Sequence, residues 1–228
     1  YYSNEDEITQ ALMSAYAVLQ WPDFVFGEYG PLPFVSDIMS DDVRVGGAHV
    51  NDLPVFSQMR FFQASSEFTL SALWVSFYSG VYRANTVINN IDKVKNISSF
   101  QKNRILAEAY TLRAYYYFWL WKLWGNIPYY DKNPEDDFYV PQLSADEVYK
   151  RILSDLNFAI QNDKLPLTVP NVQKGRITKA TAQMLKANLV MYQKDEALYQ
   201  EVLNDMREII QSDLYSLYPN FANLWEDI

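Results

Sequence analysis

The sequence predicts an all-α protein: an array of helix hairpins of tetratricopeptide type, with a long irregular loop after the first helix. Three observations carry that class. Apolar residues recur at three- and four-residue intervals over six stretches, which is the helical period. Three of those stretches open with a polar residue followed three positions later by Glu or Gln, the spacing of a capping box. No series of alternating apolar and polar residues suggests a sheet.

The first helix opens at Asn4 and Glu7, continues through Ile8, Leu12, Ala15 and Leu19, and is stopped by Pro22. Periodicity then vanishes from about residue 21 to 66, a segment holding four of the chain's seven glycines. Irregular segments of that length inside a compact domain are uncommon and are usually functional or disordered. Its rings, Phe24, Phe26, Tyr29, Phe34, Phe56, Phe61 and Phe62, argue for order. A second helix is expected from Thr69 to Lys95, with Leu73, Phe77, Val81, Ala84, Ile88 and Ile91 on one face.

Ser98 and Gln101 open a third helix that reaches Trp124 before Gly125 and Pro128 end it. Ile105, Ala109, Leu112, Tyr116, Trp119 and Leu123 form one stripe, and Tyr115, Tyr117, Phe118, Leu120 and Trp121 cover most of the remaining circumference. A helix that is apolar on all sides belongs inside a bundle. Tyr129 to Leu143 reads as a linker loop. Ser144 and Glu147 then open a helix carrying Val148, Ile152, Leu156 and Ala159. Ile177–Tyr192 and Glu196–Gln211 are two more helices, joined so closely that they must form an antiparallel hairpin. Pro219 argues against a regular helix in the tail.

Composition excludes several function classes. The net charge is −9, with no clustered Lys and Arg to displace counterions, so a nucleic-acid partner is not expected. There is no cysteine and one histidine, His49, which removes disulfides, thiolate chemistry and most zinc sites. No glycine-rich phosphate loop is present, and no metal or cofactor is expected. The longest apolar run, Ala114 to Trp121, is far short of the ~20 residues that cross a bilayer. Aromatic residues, by contrast, make up 16% of the chain. That supplies flat, partly polar contact area rather than reactive groups.

Each chemical signal has a structural alternative. The Tyr115–Trp124 block could stack sugars, but its rings point all round the helix, so core packing is the stronger reading. The same holds for Tyr192 and Tyr199. Arg113 and Glu108 lie on an otherwise apolar helix; Glu108 could be a catalytic acid, but half-burial with a charged partner on a neighbouring helix is the stronger reading. Asp37, Asp41 and Asp42, or Glu135, Asp136 and Asp137, could act as glycosidase acids or calcium ligands, although neither group has calcium-loop spacing. They read as solvated loop acids. Arg44, His49, Asn51, Phe56, Phe61 and Phe62 lie in the irregular segment, where rings can stack on a sugar's C–H face while planar polar groups take its hydroxyls. Trp74, near the start of the second helix, joins them. The alternative is that these rings anchor the loop to the helices.

The stretch from Ala107 to Tyr130 reads A-E-A-Y-T-L-R-A-Y-Y-Y-F-W-L-W-K-L-W-G-N-I-P-Y-Y and closely resembles the signature of the SusD/RagB family, outer-membrane nutrient-binding lipoproteins of Bacteroidetes. Further family elements occur in the family's order. Tyr78 to Ile88 contains the Ala84-Asn85 pair and the following Ile88, with Val81 in place of the family's first isoleucine. Tyr149, Ile152, Asp155, Leu156, Ala159, Leu165 and Pro166 resemble the next helix and its L-P close. Gly175 to Ala180 and Ile210 to Leu217 resemble two later segments.

The resemblance implies a non-catalytic protein at the outer membrane of the cell, exposed at its surface, that binds oligosaccharide or another nutrient and passes it to a SusC-like TonB-dependent transporter. It implies that residues 1–228 correspond to the family's N-terminal, repeat-bearing part without the C-terminal region. Membrane attachment would be through a lipid anchor outside this numbering. It also implies that the region between the first two helices contributes to the ligand site, which makes Arg44, His49, Asn51, Phe56, Phe61 and Trp74 the candidate ligand-binding residues. The competing classes are an α-helical glycoside hydrolase and a repeat module that binds protein alone.

Overall fold

The computed structural model describes residues 2–21, 24–25, 28–29, 32–40, 42–43, 59, 61–63, 69–135, 139–217 and 219–225. Helix α1 (Glu5–Ala17) is followed by two short antiparallel strands, β1 (Phe24–Val25) and β2 (Glu28–Tyr29). Next come α2 (Leu32–Ile38), α3 (Ser71–Asn90) and α4 (Ser99–Trp124). Strand β3 (Ile127–Pro128) pairs antiparallel with β4 (Gln142–Leu143), and α5 (Ala145–Ile160), α6 (Lys179–Gln193) and α7 (Tyr199–Gln211) complete the described chain. The expected all-α array is what forms. The two small ladders are the only sheet among the described residues.

Local chemistry sets the helix starts where the spacing placed them. Asn4 accepts from Glu7 N at 2.9 Å, while the Glu7 carboxylate reaches back to Ser3 N at 2.6 Å. Ser98 accepts from Gln101 N at 3.1 Å, and the Gln101 side chain turns away to Glu5 Oε1, joining the start of α4 to α1. Ser144 and Glu147 form a reciprocal capping box. Such caps are worth ~0.5–2 kcal/mol each. The end of α1 corrects one expectation: Leu19 is 45% exposed, and Val18 is buried in its place. The helix tightens into a 3-10 turn over Val18–Gln20, and the shorter period rotates Val18 inward.

Each of α4 to α7 packs beside its predecessor, and α1 lies against α3 and α4. The pairs run antiparallel. Asn85 meets Arg113 while Trp74 meets Trp124 across α3 and α4, and Tyr110 meets Phe158 while Trp121 meets Tyr149 across α4 and α5. Helix α4 is the central element, buried on nearly all sides as its composition predicted. Its stripe of Ile105, Ala109, Leu112 and Tyr116 lies in one core with Ile8, Leu12, Phe77, Val81, Ile152 and Leu156. Gly80 permits a close approach of α3 to α4: a Cβ there would stand 2.5 Å from the Tyr116 ring.

Helices α6 and α7 form the expected hairpin, but their seam is polar. Lys179 binds Glu208, Gln183 binds Glu208 and Asp205, and Lys186 binds Glu201. Only Val202 of α7 is fully buried. The aromatic block of α4 packs mainly inward, with Tyr116, Tyr117, Phe118 and Trp121 buried. Tyr192 departs from that reading: it is 51% exposed and lies over the edge of Trp121. Residues 32–38, expected to be irregular, form a short helix that buries Val35 and Ile38. The segment expected as a linker from Tyr129 to Leu143 is closed at its base by the β3–β4 ladder.

Candidate functional site

Two buried charged clusters were candidates for chemistry, and both are saturated by partners. Glu108 is fully buried rather than half-buried. It accepts from Arg104 Nε at 3.0 Å, Arg176 Nη2 at 2.8 Å and Nε at 3.0 Å, and the Tyr16 hydroxyl at 2.7 Å. Its partners come from its own helix, α1 and the loop before α6, rather than from one neighbouring helix. Burial together with the Glu108 charge pushes the Tyr16 hydroxyl far above the usual tyrosine range, so it stays a donor. It also accepts from Ile177 N at 2.9 Å. No acceptor position of Glu108 is left for a substrate, which removes its reading as an acid. Arg113 is likewise buried, in a bidentate pair with Asp155 of α5 at 2.7 Å on both oxygens. Burial opposes its charge, but the Asp155 carboxylate outweighs that and makes the guanidinium hold its proton more tightly.

The open feature is a cleft of about 660 Å³ on the outer side of α3, walled by Trp21 and by the Tyr130–Pro134 segment. Trp74, Tyr78 and Tyr82 recur at four-residue intervals and so share one face of α3, beside the core stripe. Trp74 is held by the edge of Trp124, with centroids 5.1 Å apart at 80°, and lies 4.7 Å from the Tyr78 ring. Tyr78 meets Tyr130 edge to face at 5.9 Å and donates to Pro128 O at 2.7 Å. Burial raises its hydroxyl well above the usual tyrosine value, which keeps that proton in place. Tyr82 is 53% exposed.

Polar groups frame these rings. Arg83 lies 5.1 Å from the Trp21 ring centroid and donates to Ser14 O at 2.8 Å, so its planar group is fixed by α1. Asn133 Nδ2 donates to Tyr82 O and Thr86 Oγ1, both at 2.9 Å, which fixes this side chain in the cleft lining. Trp74 also lines a second, more polar recess of about 570 Å³ with Trp124, Asn126 and Gln142. One indole therefore borders both hollows. Fixed rings beside fixed planar amide and guanidinium groups are what stacking on a sugar and hydrogen bonding to its hydroxyls require. Among the described lining residues of the cleft there is no carboxylate, whereas glycoside hydrolysis uses two.

Of the residues singled out from sequence, Trp74 lies in the cleft wall. Phe61 lies in an exposed turn beside Phe62, 62% exposed itself, and is not among the described lining of the cleft. Arg44, His49, Asn51 and Phe56 lie outside the described residues. Asp37, Asp42 and Glu135 are exposed, Asp37 on α2 rather than on a loop, and Asp41, Asp136 and Asp137 lie outside the described residues. Among the described residues no group of three or more His, Asp or Glu side chains is placed to hold a metal ion. Sequence reasoning passed over Tyr78, Tyr82, Tyr130 and Trp21 as site residues. The four-residue recurrence of Trp74, Tyr78 and Tyr82 was a usable signal; the joining of Trp21 and Tyr130 to it was not.

Comparison with known proteins bears on this geometry. The family model for SusD-like proteins, described as starch-binding and associating with the outer membrane, matches residues 8–189. SusD-like protein P38 of Formosa agariphila is 32% identical over 158 residues, covering 68% of this chain and 29% of its own length. SusD-like protein P25 of the same organism is 25% identical over 99% of this chain and 42% of its own. Among solved structures, surface glycan-binding protein A from Bacteroides thetaiotaomicron in complex with laminarihexaose superposes with a TM-score of 0.92 at 37% identity. The match covers 99% of this chain and 47% of that one. The chain spans less than half the length of the relatives it matches.

Proposed function

Because this chain belongs to the SusD-like family, we propose that it forms the repeat-bearing part of a protein that binds oligosaccharide at the bacterial outer surface without altering it. The observation that carries the proposal is the aromatic face of α3, where Trp74, Tyr78 and Tyr82 line one cleft with Arg83 and Asn133 at its margins. The absence of a carboxylate from the described lining favours capture over hydrolysis. The likeness to a protein solved with laminarihexaose makes that β-glucan the first ligand to try.

On this reading the helix pairs are tetratricopeptide-type hairpins and residues 1–228 serve as one domain. The captured glycan passes to a SusC-like TonB-dependent transporter, with a lipid anchor outside this numbering holding the protein to the membrane. Arg44, His49, Asn51, Phe56 and Phe61 supply further ligand contacts from the segment between α1 and α3.

Isothermal titration with laminarihexaose tests the cleft. Trp74→Ala is expected to weaken binding about five- to thirtyfold, since a lost stacked ring costs on the order of 1–2 kcal/mol. Tyr82→Ala should weaken it less. Wild-type affinity in both variants would refute the assignment of the site.

A further inference from the structure

Three residues from three separate sequence motifs meet at one buried point. Asn85 comes from the Ala-Asn pair of α3, Arg113 from the Leu-Arg-Ala run of α4, and Asp155 from the Asp-Leu pair of α5. Each is 5% exposed or less. Arg113 spends two donors on Asp155, and Nη1 donates to Asn85 Oδ1 at 2.8 Å and to Asp131 O at 3.3 Å. Asn85 Nδ2 extends the chain to Tyr130 O at 2.8 Å. From the other side, the Tyr117 hydroxyl accepts from Tyr130 N at 2.7 Å, and Arg151 donates to Asp131 Oδ2 at 2.7 Å.

The bonds from Arg113, Asn85 and Tyr117 converge on the backbone of residues 130 and 131. That backbone carries the Tyr130 ring and, three residues on, Asn133 into the wall of the cleft facing α3. A buried ion pair adds little stability over well-packed apolar residues, so helix packing alone does not call for one here. What the pair adds is direction. A guanidinium clamped by two oxygens of Asp155 presents its remaining donor at a fixed place, and so does Asn85, which it orients.

We propose that Arg113 is a positioning residue for the cleft: through Asn85 it sets the backbone of Tyr130 and Asp131, and so the distance between the Tyr130–Asn133 wall and the aromatic face of α3. This rests on the cleft being the ligand site. The charge-conserving Arg113→Lys keeps Asp155 compensated but lacks the planar fork that serves Asp155, Asn85 and Asp131 together. Asn85→Ala removes the relay and leaves the Arg113–Asp155 pair intact, which keeps the test open if the lysine variant folds poorly.

The experiment pairs hydrogen exchange with titration against laminarihexaose. Exchange of the amides of residues 129–133 should quicken about tenfold in both variants while amides in the middle of α5 keep wild-type protection. The dissociation constant should rise at least fivefold. Glu108→Gln, which loosens the array through a buried ionic cluster with no member in the cleft lining, should quicken exchange at 129–133 no more than in the middle of α5, and so separates positioning from general loosening. Unchanged exchange at 129–133 in both variants overturns the inference whatever the titration shows. If Trp74→Ala abolishes binding while Asn85→Ala and Arg113→Lys bind as wild type, the inference alone falls. If Trp74→Ala binds as wild type, the cleft assignment falls and takes the inference with it.

Discussion

Replacing Glu108 with Gln tests whether a buried charge that accepts four hydrogen bonds holds the array together. The substitution conserves shape and deletes one negative charge from a side chain with no solvent exposure. Arg104 and Arg176, whose side chains are 10% and 16% exposed, lose their shared counter-charge. One carboxylate oxygen also becomes an NH2 group. Since each oxygen accepts two donors here, two donors then face another donor. Removing one partner of a buried ionic cluster costs about 3–5 kcal/mol. At ~2–4 °C per kcal/mol for a chain of this size, Tm should fall by roughly 6–20 °C. The assay is thermal unfolding followed by circular dichroism at 222 nm. Tyr16→Phe provides the scale, because it removes one neutral donor and strands Ile177 N, a loss of about 1–3 kcal/mol. A drop under about 2 °C for Glu108→Gln, or a smaller drop than for Tyr16→Phe, would refute the reasoning.

Gly80→Ala should destabilise by about 1–3 kcal/mol, read as a lower urea midpoint, because the new methyl meets the Tyr116 ring. Ser144→Ala should cost ~0.5–2 kcal/mol through loss of the α5 capping box, with Thr at the same position restoring most of it. Asp205 tests the polar seam of α6 and α7. Burial raises its carboxyl above the ordinary aspartate value despite the nearby Lys186, and its Oδ2 has no hydrogen-bond partner. The folded state therefore binds this proton more tightly than the unfolded chain does, and stability falls as pH rises through the window between the two pKa values. Asp205→Asn should have a higher urea midpoint than wild type at pH 7, and the gain should vanish once pH falls below the ordinary aspartate value. A gain that persists in acid would rule out that cause.

The helices were legible because their signals are local. Asn4, Ser98 and Ser144 each act on an amide three residues away, and the inward stripes of α1, α3, α4 and α5 need only the helical period. The misplaced Leu19 marks where that period changes, at a 3-10 turn that spacing alone does not announce. The strands were missed because two residues are too few to show alternation. The buried partners of Arg113 and Glu108 were foreseeable in kind but not in identity, since Asp155 and Arg176 lie 42 and 68 residues away. Of the rings that line the cleft, only Trp74 was singled out from sequence. The cleft's face on α3 is written at four-residue intervals, whereas Trp21 and Tyr130 reach it only once α1 and the β3–β4 excursion have packed.

The bond between the Tyr16 hydroxyl and Ile177 N joins residues 161 positions apart, while most of the array joins each helix to the next. This has a consequence for the order of assembly. A chain that leaves a ribosome or a translocation pore N-terminus first presents α1 early. Its apolar face can settle once α3 and α4 have emerged, but Tyr16 then faces a Glu108 that still lacks the Arg176 guanidinium. Only the arrival of the loop before α6 supplies both the second cation and the backbone donor. The first helix to be made is thus among the last to be secured, and a chain halted before residue 177 would carry a buried tyrosine hydroxyl without its amide partner.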